Sequence, residues 1–259
     1  MWRAGSDWRH STEPEGCVAM NKSQLVQEIT ADLQAQADPS YRDLVRDRYG
    51  MNVDRFMGVR MPDIHRIAGT YYTTIRSQPV DRRLELCEQL LETGLYELKI
   101  AAFRWAYLAR KEFADPHLQV FSSWLNRYVD DWIDCDDLCV HVIGEFLLQY
   151  PERAIAVLEW TRSPNRWVKR GAAVSLVLPV RRGQQLALAL QVADLLLADP
   201  DDLVQKAYGW LLKEASKRYP EQVFDYVTGK RDVMPGVAFR SAIEKLPESL
   251  RRKATEREG

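Results

Sequence analysis

From Ser23 onward the chain reads as a succession of amphipathic helical patterns, with apolar residues returning every third or fourth position to form one stripe per segment. Pro or Gly interrupts these patterns at Pro39, Gly50, Pro62, Pro79, Gly94, Pro116, Pro151, Pro164, Gly183, Pro200, Pro220 and Pro235. Such residues mark places where one helix hands over to the next. Runs of alternating β-branched and aromatic residues bounded by hairpin turns are missing, so the pattern predicts an all-α fold. Residues 1–19 mix Gly, Ser, Pro, Glu and Arg without an apolar period, which predicts a disordered tail that folding does not need. One folded domain is expected over residues 20–253, followed by a short tail at 254–259.

A weak internal repeat runs through the helical region. Glu97-Leu-Lys-Ile-Ala-Ala-Phe, Val168-Lys-Arg-Gly-Ala-Ala-Val and Leu203-Val-Gln-Lys-Ala-Tyr-Gly-Trp each set a basic residue beside small ones. Lys99, Asp136, Arg170 and Lys206 follow one another at steps of 37, 34 and 36 residues, about the length of a two-helix HEAT-like unit. Equivalent positions in stacked units line one face of a solenoid, so these four side chains are expected on one face of a curved helical stack.

Composition narrows the function. With 259 residues and 46% hydrophobic content the chain can bury a sizeable core. Its 36 Lys and Arg against 37 Asp and Glu leave no global field, so any basic surface must be local. The four cysteines, Cys17, Cys87, Cys135 and Cys139, lack a disulfide framework, and no apolar signal region follows the start, which predicts a reducing cytoplasm. The longest apolar stretches fall well short of the roughly 20 residues that span a bilayer. Across residues 151–184, seven basic residues against two acids give a local charge of +5. That is where a phosphate backbone would be held.

Three elements carry candidate chemistry. In Asp130-Asp-Trp-Ile-Asp-Cys-Asp-Asp-Leu-Cys, Trp132 and Asp136 stand four residues apart, one helical turn on one face. This sets an aromatic plate beside a carboxylate. Asp130, Asp131 and Asp134 read as N-cap and first-turn acids. In Asn165-Arg-Trp-Val-Lys-Arg-Gly-Ala-Ala, three cations, Arg166, Lys169 and Arg170, accompany Trp167 at a helix start. In Lys206-Ala-Tyr-Gly-Trp, Trp210 lies on the face of Lys206. Each has a plainer explanation, since helical tryptophans are usually core and basic runs usually solvated.

These elements, with Phe56-Met-Gly-Val-Arg-Met-Pro-Asp-Ile, Asp202-Leu-Val-Gln-Lys-Ala-Tyr-Gly-Trp-Leu-Leu-Lys-Glu and Phe239-Arg-Ser-Ala-Ile-Glu-Lys-Leu-Pro, resemble the DNA alkylation repair family of HEAT-like-repeat glycosylases over residues 40–250. The resemblance implies a base-excision-repair glycosylase that removes N3- and N7-alkylated purines from double-stranded DNA. It makes Asp136 the catalytic carboxylate, Trp132 and Trp210 the flanking plates, and Arg170 a contact to the DNA backbone at the lesion. Lys169, Arg166, Lys206, Lys99 and Trp167 are then expected to support DNA binding by a monomer, without cofactor or metal. Two positions depart from the family's pattern: Lys99 stands where an arginine is expected, and Gly236 where a basic residue is common. Asp137 leaves open which of two adjacent acids faces the groove, and the Trp132 spacing favours Asp136.

The competing expectation is a non-catalytic solenoid that binds DNA or a protein partner, because this fold class often serves as a scaffold. A metal at Cys135, Cys139 and His141 is disfavoured by the lack of a second ligand pair. The dispersed histidines and the absence of a Gly-x-Ser-x-Gly or phosphate-loop motif speak against other hydrolases.

Overall fold

Short polar side chains start several helices. Asp131, Asn165 and Asp201 each accept a hydrogen bond from the backbone N–H two residues on, at 2.8–2.9 Å. This satisfies donors that have no partner within the helix. Pro62 sits in the first turn of the helix Met61–Ile75, where its missing N–H costs nothing. The computed structural model describes residues 22–49 and 53–256, so the tail expected over residues 1–19 and the start at Met20 lie outside it. Among the described residues the regular structure is entirely helical, as the apolar period predicts. The last helix, Glu248–Thr255, carries a buried Ala254, so folded structure passes the expected boundary at 253.

The helices Met61–Ile75, Tyr96–Ala109, Trp132–Gln149, Arg166–Val174, Asp202–Ser216 and Gly236–Ile243 form one row, each packed on the next. Val80–Glu92, Leu186–Leu196 and Pro220–Gly229 pack against that row as part of a second one. Hydrogen bonds between successive units recur at a nearly fixed separation. Trp105 donates to the Ala68 carbonyl at 2.7 Å, Tyr150 to Phe113 at 2.9 Å, Asn165 to Asn126 at 3.1 Å, Gln185 to Pro151 at 2.7 Å, and Tyr219 to Gly183 at 2.7 Å, all 34–39 residues apart. This is the repeat length read from the sequence, expressed as contacts between stacked units.

One continuous core fills the stack, and Trp105, Trp124, Phe103, Phe121 and Phe146 are wholly enclosed in it. Each side chain of this kind contributes about 1.5–3 kcal/mol by leaving water. Two glycines are dictated by space. Gly58 has φ +95°, and a Cβ there would lie 2.6 Å from the Asp38 carbonyl oxygen. A Cβ on Gly209 would lie 2.9 Å from the Cα of Ala238, so its absence lets the Asp202–Ser216 and Gly236–Ile243 helices meet at backbone distance. No helix of the described residues is long and apolar enough to cross a membrane.

Candidate active site

The central helix changes pitch where the candidate chemistry begins. Trp132–Asp137 is α-helical, Leu138–Ile143 is a π-helical turn, and Gly144–Gln149 returns to α. In an α-helix a four-residue step overshoots a full turn, and the drift accumulates along the face. The wider π turn takes up more residues and cancels much of this drift, and such turns favour functional sites. Here Trp132, Asp136 and Val140, with Ile133, Asp137 and His141, all face one cavity of about 340 Å³. Met61, His65, Arg181 and Trp210 complete its wall. The cavity therefore unites Asp136 with both expected aromatic plates, and Trp132 is 42% exposed.

Arg170 lies behind Asp136. Its Nε donates to Asp136 Oδ1 at 3.0 Å, and Nη2 donates to Oδ1 at 2.7 Å and to Oδ2 at 2.9 Å. Nη1 donates to the Leu203 carbonyl at 2.7 Å. With 5% exposure, this guanidinium is not positioned to grip a phosphate, contrary to the role the resemblance implied. Its forked geometry orients the carboxylate instead. Burial raises the Asp136 pKa, and the Arg170 charge restrains the rise.

Lys99 also departs from expectation. It is 3% exposed, and its Nζ lies 2.5 Å from Asp130 and 2.8 Å from Asp134. Asp134 is the first-turn acid the sequence predicts, and it is also the buried partner of Lys99. A lysine taken out of water needs such partners, so this charge is consumed inside the protein. The cations that remain toward the surface are Arg166, 2.7 Å from Asp201, and Lys206, 2.7 Å from Asp202. Lys169 is mostly buried against Asp199. Trp167 packs on the core, and the Arg166 guanidinium lies 5.4 Å from its ring centroid.

Trp210 is fixed by its neighbours. Its Nε1 donates to Glu214 at 3.3 Å, while Arg181 binds Glu214 at 2.8 Å and lies 5.8 Å over the indole ring. Burial opposes the Glu214 charge, but hydrogen bonds from Arg181 and Lys217 outweigh it and pull the pKa down to about 2. Sequence reasoning missed His65, His141, Arg181 and the wall position of Asp137. One signal was available, because His65 and His141 are 76 residues apart, about two repeat lengths. Burial lowers the pKa of both histidines, with Arg104 adding to it for His65 and Arg181 for His141.

A second cavity of about 320 Å³ adjoins the first across Trp132, lined mainly by Tyr41, Phe56, Tyr96 and Met61. Beneath it, the buried Glu97 carboxylate accepts hydrogen bonds from the N–H groups of Met57, Gly58 and Val59 at 2.9–3.1 Å. This holds the Phe56-Met-Gly-Val loop in place. Cys135 and Cys139 are buried with their sulfurs 4.0 Å apart. Among the described residues no three His, Cys, Asp or Glu side chains converge as a metal site would require.

A stack of helical repeats with a carboxylate and two tryptophans on the wall of one cavity defines a class of helical solenoid proteins. The family model described as DNA alkylation repair enzyme matches residues 29–246, and the chain belongs to that family. With membership goes a role in the repair of alkylated DNA. Among solved structures, a predicted DNA alkylation repair enzyme from Enterococcus faecalis superposes with a TM-score of 0.70 at 16% identity, covering 82% of this chain and 98% of its own. AlkD2 from Streptococcus mutans gives a TM-score of 0.52 at 16% identity, with 87% and 99% covered. The protein smu.31 from Streptococcus mutans UA159 gives 0.56 at 16% identity, with 80% and 98% covered. At this identity the likeness concerns the fold. No curated protein matches the chain.

Proposed function

We propose that the protein is a DNA glycosylase that hydrolyses the N-glycosyl bond of positively charged N3- or N7-alkylated purines in duplex DNA. The observation that carries this reading is the fixed Asp136 carboxylate facing a cavity between Trp132 and Trp210. An alkylated purine cation leaves without being protonated, so the site needs no general acid. As the bond breaks, positive charge moves to the deoxyribose. A preorganised carboxylate near C1′ stabilises that oxocarbenium, and the indole faces attract the same charge by about 0.5–2 kcal/mol each. Asp136 is on the cavity wall and the buried Arg170 is not, so the negative end of the pair is the end presented to the sugar. Exposed cations such as Arg166 and Lys206 supply the contacts to phosphate.

The test is direct. Purified protein incubated with duplex DNA carrying 7-methylguanine or 3-methyladenine is expected to release the free base, and to leave uncharged 1,N6-ethenoadenine, hypoxanthine and uracil in place. Binding without release would return the protein to a scaffold role, and release of a neutral base would overturn the mechanism.

A further inference from the structure

The cavity holds two adjacent carboxyl groups in unlike surroundings. Asp136 accepts three hydrogen bonds from the Arg170 fork. Asp137 faces the same space, yet no hydrogen bond holds it among the described residues, and His141 Nε2 is 4.0 Å away. Its side chain is only 21% exposed. We propose that Asp137 is the general base that takes the proton of the attacking water, while Asp136 stabilises the sugar cation. This rests on the glycosylase reading above and divides its chemistry between two residues.

The step balances. The C1′–N bond breaks with its electron pair going to the purine, which leaves neutral. The water oxygen bonds to C1′ and its proton passes to the Asp137 carboxylate, giving a neutral carboxyl and a C1′ hydroxyl. Asp136 is the poorer acceptor, because protonating it would give up three charge-assisted hydrogen bonds.

Charges around Asp137 come from every neighbouring element. Asp136 and His141 lie on its own helix, Tyr96 and Arg104 on Tyr96–Ala109, His65 on Met61–Ile75, and Arg181 at the end of Val177–Arg181. Burial is the largest influence and lifts its pKa to about 7, with Asp136 adding to the rise and Arg104 opposing it. Both histidines are biased toward the neutral form and compete little for the proton. Two carboxyl groups in unlike surroundings within one site are a recurring division of acid–base labour.

The base works when ionised, so activity should appear as pH rises. Single-turnover release of 7-methylguanine from duplex DNA, followed from pH 5.5 to 9, is expected to climb about tenfold per pH unit below the Asp137 midpoint and level off above it. Asp137→Asn should remove that limb and slow the plateau by about 100-fold, the low end for a positioned base. The same variant should melt higher than wild type at pH 8 and equally at pH 4. Removing a buried charge favours the folded state only where that charge exists. A flat wild-type profile, or a limb that survives in Asp137→Asn, overturns the assignment while leaving the glycosylase intact. A wild-type protein that releases no base overturns the glycosylase reading and the assignment with it.

Discussion

Two neighbouring repeats each send a buried cation to the same helix, and the two ion pairs end up with different uses. Lys99 reaches Asp134 from the Tyr96–Ala109 side, where both partners are enclosed, at 4% and 1% side-chain exposure. Arg170 reaches Asp136 from the Arg166–Val174 side, where the cation is enclosed but the carboxylate opens to the cavity, at 6% and 22%. Both pairs carry a desolvation cost that their mutual attraction must offset. What separates them is access. A carboxylate sealed on all sides can only hold helices together, whereas one sealed behind and open in front presents a fixed charge to whatever enters.

Breaking the sealed pair should have the largest effect. Lys99→Met leaves Asp134 buried without its counter-charge, a change that typically costs about 3–5 kcal/mol. It should lower the thermal midpoint sharply, and less at pH 5 than at pH 8, because protonation relieves an unpaired carboxylate. Excision measured on the folded fraction should stay close to wild type. An unchanged melting temperature would show that the pair is idle.

The open pair should respond in the opposite sense. Asp136→Asn is expected to lower single-turnover excision by about 100-fold or more, the scale for one preorganised electrostatic group, while duplex binding persists. Some stability is lost as Arg170 loses its counter-charge, but less than in Lys99→Met, since water reaches this carboxylate. Full excision activity in Asp136→Asn would remove the distinction.

The smallest expected effect sharpens the comparison on the cation side. Arg170→Lys keeps the charge and loses the fork, so excision should fall about tenfold while the salt dependence of DNA binding is unchanged. Arg166→Ala should instead flatten that salt dependence by about one phosphate contact and spare the chemistry. If Arg170→Lys flattened the salt dependence, Arg170 would be a phosphate contact after all.

Periodicity made the architecture legible, because every helix must turn an apolar stripe inward and the stack repeats that demand every 34–39 residues. Face and spacing also set Trp132 beside Asp136, and the resemblance to the family added Trp210, which lines the same cavity. Depth was not legible. Lys99, Arg170 and Lys206 share a repeat position, yet the first two are buried and the third is half exposed. Acids at residues 134 and 136 consume the buried charges, and nothing in the local pattern pairs residues more than thirty positions apart. Asp137 was left open against Asp136 for a different reason. Both acids lie in the α-helical segment Trp132–Asp137 and both line the cavity, and the spacing from Trp132 ranks two adjacent acids by face without revealing that the cavity is wide enough to take both.

That turn also sets the phase between the two halves of its helix. Trp132, Asp136 and Asp137 face the site, while Phe146 and Leu147 beyond it are locked into the core. Each half meets its own surroundings only because the intervening residues supply the required rotation. Deleting one residue between 138 and 143 would let the segment close into ordinary α-helix, whose tighter turn keeps the two halves in nearly the same phase. The core and the Trp132–Asp137 segment would then both stay seated, and the change would fall on the turn itself, which carries Val140 and His141 on the cavity wall.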